Sequence, residues 1–145
     1  MILYLDTSAL VKRYLIEAGS PEVNQWISMA QPVSTALITR AEMSAAISRA
    51  GRLGWISKEQ SQHALELFRS EWELLGRLPI NEATVRRADV LACQYDLRGY
   101  DAIHLACALL YQEGLGESVS LATYDRLLWQ AGKATGLTVL PTSSP

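Results

Sequence analysis

The sequence predicts an α/β domain whose mostly parallel sheet is covered by helices on both faces. Three observations lead there. Apolar runs of strand length recur at Ile2–Leu5, Val33–Ala36, Leu78–Ile80, Val119–Ala122 and Leu137–Leu140. The stretches between them carry apolar residues three and four apart, the period of a helix buried along one side. Parallel strands need such crossovers, because a tight turn cannot join them. The expected order is β-αα-β-αα-β-αα-β-α-β, five strands in one three-layer α/β/α sandwich.

Each element has its own justification. Ile2–Leu5 stops at Asp6, and Ala9, Leu10, Tyr14 and Leu15 then recur at helical spacing. Ala18-Gly19-Ser20-Pro21 ends that helix and starts another, with Ser20 as the expected N-cap and Pro21 in the first helical position. Val23, Trp26, Ile27 and Ala30 form its apolar stripe, and Gln31-Pro32 breaks it before Val33–Ala36. The next helix opens near Thr39 and is expected to stop at Gly51, with Gly54 as a second terminator. Ser57-Lys58-Glu59-Gln60 has the form of a capping box. It launches a long helix to about Leu75, with Leu65, Phe68, Trp72 and Leu75 on one stripe. Leu78-Pro79-Ile80 is the expected third strand, and Asn81 caps the helix after it. Tyr100 to Leu110 form a strongly apolar helix closed by Gly114 and Gly116. Val119–Ala122 is the fourth strand, Thr123-Tyr124-Asp125-Arg126 the turn into the last helix, and Leu137–Leu140 the fifth strand. Residues 1–141 are expected to be a single domain and 142–145 a disordered tail.

Composition sets limits on function. Hydrophobic residues make up 49% and charged residues 19% of the 145, the balance of a globular chain and not of a disordered one. The net charge of −2 gives no global attraction for polyanions, so a nucleic acid would have to be held by local cations. Cys93 and Cys107 form no zinc-ligand pattern and are expected to be buried and reduced. No apolar run reaches membrane-spanning length, so no membrane association and a cytoplasmic location are expected.

The chemistry rests on four acids. In a parallel sheet all carboxyl ends share one edge, where open α/β folds place their sites. Asp6 and Asp125 follow the first and fourth strands. Glu42 lies in the first turn of the helix after the second strand, and Asp101 in the first turn of the helix leading into the fourth. Each reads equally well alone as a helix cap or as an acid facing a helix dipole. Together on one edge they would repel one another without cations. Oxygen ligands with no cysteine or paired histidine beside them suit Mg²⁺ or Mn²⁺, and such ions serve phosphodiester hydrolysis.

Leu5-Asp6-Thr7-Ser8-Ala9-Leu10, Arg40-Ala41-Glu42, Tyr100-Asp101-Ala102-Ile103-His104-Leu105-Ala106 and Ala122-Thr123-Tyr124-Asp125-Arg126 resemble, in order, the four acidic motifs of the PIN domain. The similarity is nearest to the VapC-type ribonuclease toxins of toxin–antitoxin pairs. The resemblance implies a PIN-like five-stranded sandwich, a Mg²⁺- or Mn²⁺-dependent endoribonuclease, an RNA substrate, an antitoxin partner and a homodimer. It carries the metal-binding and catalytic roles onto Asp6, Glu42, Asp101 and Asp125.

Thr7, Ser8 and Thr123 are expected to support these acids or to cap helices. Arg40 and Arg126, next to acids in sequence, are the favoured candidate RNA contacts, with Lys12, Arg13, Arg49, Arg52 and Arg98 behind them. His104 is expected to be a structural residue at a helix interface and His63 to be exposed. Trp55 is read as either an exposed partner-facing residue or a packed one. Two other functions compete. A phosphoacceptor domain predicts an acid after the third strand and a lysine after the fifth, where this chain has Asn81 and Pro141. A catalytically silent PIN-like RNA-binding or scaffolding module is the stronger alternative.

Overall fold

The structure, a computed structural model, describes residues 1–145. Its strands are β1 (Ile2–Leu5), β2 (Val33–Ala36), β3 (Gly76–Leu78), β4 (Val119–Ala122) and β5 (Thr138–Leu140). They form one sheet in the order β3-β2-β1-β4-β5, every neighbouring pair parallel. The first strand is therefore central. Leu3 pairs with Val33 on one side and with Ser120 on the other.

The helices are α1 (Thr7–Tyr14), α2 (Ser20–Met29), α3 (Thr39–Arg52), α4 (Lys58–Glu71), α5 (Glu82–Tyr95), α6 (Gly99–Leu115) and α7 (Arg126–Ala134). The alternation of β1 decides which face each layer covers, because successive side chains of a strand point to opposite sides. Leu3 and Leu5 pack with Leu10, Val23, Met43 and Phe68, residues of α1 to α4. Tyr4 faces the other way, into Leu105, Ala108, Leu128 and Leu91 of α5 to α7. Two cores thus sandwich one sheet. Leu3, Leu5, Leu10 and Leu105 are fully buried, and each such side chain contributes about 1.5–3 kcal/mol. No helix is long and apolar enough to cross a membrane.

Local chemistry explains where the expected boundaries moved. The third strand lies at Gly76–Leu78, ahead of the expected Leu78–Ile80, and pairs with Ser34–Ala36. Pro79 has no N–H to give a ladder, so pairing stops before it. The helix before it ends at Glu71, and Trp72–Leu74 form a single 3₁₀ turn. Ser20 is not the cap of α2. That position belongs to Gly19 at φ +90°, and the Ser20 hydroxyl instead accepts from the Glu17 N–H and donates to the Leu15 carbonyl. Gly51 does not terminate α3 but lies inside it, against Ser61 of α4. Cys107 is buried as expected, and burial pushes its thiol up to about 11. Cys93 is exposed, because it sits on the outer side of α5, away from the buried Ala88 and Leu91. Trp55 is exposed as well, as is His63.

Candidate active site

The carboxyl edge of the sheet is built around Asp6. It directly follows the central strand, and its Oδ1 accepts the Ala9 N–H at 2.9 Å, capping α1. Ser8 Oγ lies 2.8 and 2.9 Å from its two oxygens, and Thr123 Oγ1 donates to Oδ2 at 2.8 Å. Only 3% of Asp6 is exposed. Burial raises its pKa, against the opposing pull of His104 and of the hydrogen bonds from Ala9, Ser8 and Thr123.

Ser8 and Thr123 also fasten the turn after β4. The Tyr124 N–H donates to Ser8 Oγ at 2.8 Å, and the Asp125 N–H to Thr123 Oγ1 at 3.0 Å. Asp125 in turn caps α7 through the Leu128 N–H at 2.9 Å. Capping and a site at the sheet edge are therefore one arrangement. Thr7 serves a different acid. Its hydroxyl donates to Glu42 Oε1 at 2.8 Å, in the first turn of α3.

Glu42 has a second partner in His104. The imidazole Nε2 lies 2.7 Å from the same Oε1, and the Nδ1 lies 2.8 Å from the hydroxyl of Tyr4 on β1. His104 is 1% exposed, and Tyr4 not at all. Burial works to raise the Glu42 carboxyl, but hydrogen bonds from His104 and Thr7, with the charge of Arg98, hold it below the ordinary glutamate value.

Asp101 lies one turn before His104 on α6 and is joined to Asp125 by an arginine. Arg98 Nε contacts Asp101 Oδ2 at 2.8 Å, and its Nη2 contacts Asp125 Oδ2 at 3.3 Å. Neither of the two favoured arginines forms an ion pair with these acids. Arg40 sets its guanidinium carbon 5.6 Å from the centre of the Trp72 ring, and Arg126 is exposed without an ion pair. The sequence places Arg98 behind them as a candidate contact and gives Tyr4 no role in the site. The available signal for Tyr4 was a single polar-tipped side chain in an otherwise aliphatic strand.

All four acids thus share one edge, where Thr123 and Arg98 link Asp6, Asp125 and Asp101 while Thr7 and His104 hold Glu42. No three Asp, Glu, His or Cys side chains stand close enough to hold a metal ion as they are placed. The donor chemistry nevertheless fits a hard divalent cation. All four acids offer oxygen, Glu42 Oε2 makes no hydrogen bond within the protein, and Asp101 and Asp125 already attract a positive group.

Residues 3–133 match the family described as PIN domain. The chain belongs to the PIN-domain family. Among its PIN relatives, Ribonuclease VapC35 of Mycobacterium tuberculosis is 31% identical over 141 residues, covering 96% of each chain. Ribonuclease VapC47 of the same species is 28% identical over 148 residues, covering 99% of this chain and 97% of the relative. Solved structures share the fold. FitAcB from Neisseria gonorrhoeae superposes with a TM-score of 0.72 at 16% identity, over 97% of this chain and 98% of the other. A toxin–antitoxin complex from Klebsiella pneumoniae gives 0.69 at 20% identity, over the whole of both chains.

Proposed function

We propose that this PIN domain is a metal-dependent endoribonuclease and the toxin of a toxin–antitoxin pair. The observation that carries the proposal is the convergence of four acids on one sheet edge, where Thr123 and Arg98 link Asp6, Asp125 and Asp101, and Thr7 and His104 hold Glu42. The curated relatives named as VapC ribonucleases support the reaction class. In this reading the four acids hold Mg²⁺ or Mn²⁺, which supplies positive charge to a phosphodiester and acidifies water.

The chain's own residues do the positioning. Ser8 and Thr123 lock the Asp6 carboxylate against rotation, and Thr123 couples it to the backbone of Asp125. Arg98 is the cation best placed to meet a substrate phosphate, since it is exposed and already sits between two of the acids. Arg126 adds positive charge beside Asp125. With a net charge of −2, the protein depends on such local cations to hold RNA. The partners in this reading are an RNA, a cognate antitoxin and a second copy of the chain, in the cytoplasm.

The test is cleavage of total RNA by purified, partner-free protein. Wild type is expected to cut with Mg²⁺ or Mn²⁺ and to stop when EDTA removes the metal. Asp6→Asn is expected to abolish cleavage by at least about a hundredfold while its metal-free melting temperature does not fall. An Asn still caps α1, and the buried charge is gone. A folded Asp6→Asn protein with full activity would refute the assignment. Tight RNA binding without cleavage by wild type would instead indicate a silent RNA-binding module.

A further inference from the structure

We propose that His104 is a positioning residue that, together with Thr7, fixes Glu42 by one oxygen and leaves the other for a divalent cation. The inference rests on the metal-dependent reading above and deepens it. An ionised carboxylate can only accept, so the 2.7 Å contact to Glu42 Oε1 requires a proton on His104 Nε2. On the other side of the ring Nδ1 lies 2.8 Å from the Tyr4 hydroxyl, so both nitrogens are held. Tyr4, His104 and Glu42 thus form one hydrogen-bonded chain from the central strand through α6 to α3.

Two features distinguish this from a buried histidine that merely satisfies itself. The first is convergence, because Thr7 from the start of α1 and His104 from α6 both donate to Oε1 and neither reaches Oε2. The second is rigidity. Both ring nitrogens are engaged, the ring is 1% exposed, and Tyr4 meets it edge-on with centroids 6.0 Å apart. Fixing one oxygen with two donors removes rotation about the carboxylate's last bond. It therefore sets where Oε2 points before any cation arrives, which lowers the ordering cost of binding.

The experiment measures Mn²⁺ binding by calorimetry on the full-length, partner-free protein, with circular dichroism confirming the fold of each variant. His104→Leu removes the donor and is expected to weaken Mn²⁺ binding about 10- to 100-fold. His104→Gln returns an N–H and is expected to recover part of that loss, which a purely space-filling role would not produce. Tyr4→Phe keeps the ring but removes the hydroxyl that holds the imidazole from behind, and is expected to give a smaller loss in the same direction. It also decides the question if His104→Leu fails to fold. Unchanged Mn²⁺ affinity in every folded variant, with wild type binding normally, overturns the positioning role alone. Wild type that binds no Mn²⁺ overturns the metal-dependent reading and this inference with it.

Discussion

Arg13 on α1 reaches Glu71 at the end of α4 with Nε at 2.7 Å and Nη2 at 2.8 Å, and Tyr14 donates to the same carboxylate at 2.8 Å. Such a forked pair is stronger than a single contact, although solvent screens one that is only partly buried. The hydrogen bond from Arg13 holds Glu71 below its ordinary 4.5. The sign follows directly. A carboxylate depressed in the folded state contributes stability above pH 4.5, and that contribution fades as pH falls through the folded value. Arg13→Gln is therefore expected to cost about 1 kcal/mol at pH 7 and to flatten the loss of stability below pH 4.5, measured by urea unfolding from pH 3 to 7. At this scale the acids were legible, because each stands at a strand end or a helix start that periodicity alone locates. Arg98 was not. Its bond to Asp125 spans 27 positions and depends on where α6 and α7 begin relative to each other. The Tyr4 to His104 contact spans 100 and exists only because β1 turns that side chain toward α6.

The helix pair α3 and α4 approaches closely where Gly51 faces Ser61. A methyl at Gly51 would come within 2.9 Å of Ser61 Cβ, and Ser61 is itself tied to the Ile47 carbonyl at 3.2 Å. Gly51→Ala improves helix propensity by about 1 kcal/mol, yet overpacking costs about 1–3 kcal/mol, so the net expectation is a lower melting temperature. Differential scanning fluorimetry of the variant checks it. Sequence alone read Gly51 as a stop signal, because a glycine that ends a helix and one that admits a neighbour look identical without the neighbour. The same limit applies at Gly19. Gly19 is the cap, with a left-handed backbone and no room for a side chain beside the Tyr124 ring, where the sequence places Ser20 in that role ahead of Pro21 and Glu22. Capping boxes fared better. Ser57 with Gln60 and Asn81 with Thr84 both close within three residues, so sequence holds all the information they need. Only the first was read as a box; at Asn81 the cap was expected and the return bond from Thr84 was not.

Across the whole molecule, stability follows strand order. β1 is paired on both sides and enclosed by both cores, whereas β3 and β5 are edges. Native-state hydrogen exchange is expected to be slowest at the amides of Leu3 to Leu5 and fastest among strands at Gly76–Leu78 and Thr138–Leu140. Equal protection across all five strands would contradict it. Parallel architecture was readable from the alternation of strands and crossovers, but the order was not, since nothing local states which strand lies beside which. That order has a temporal side. Asp6, at the end of the central strand, is made well before β4, which pairs with that strand and leads into the turn bearing Thr123 and Asp125. A nascent chain ending before Val119 has the first acid but lacks the hydroxyl that steadies it and the acid beyond. The surroundings of Asp6 are therefore complete only once β4 and the turn after it have been made.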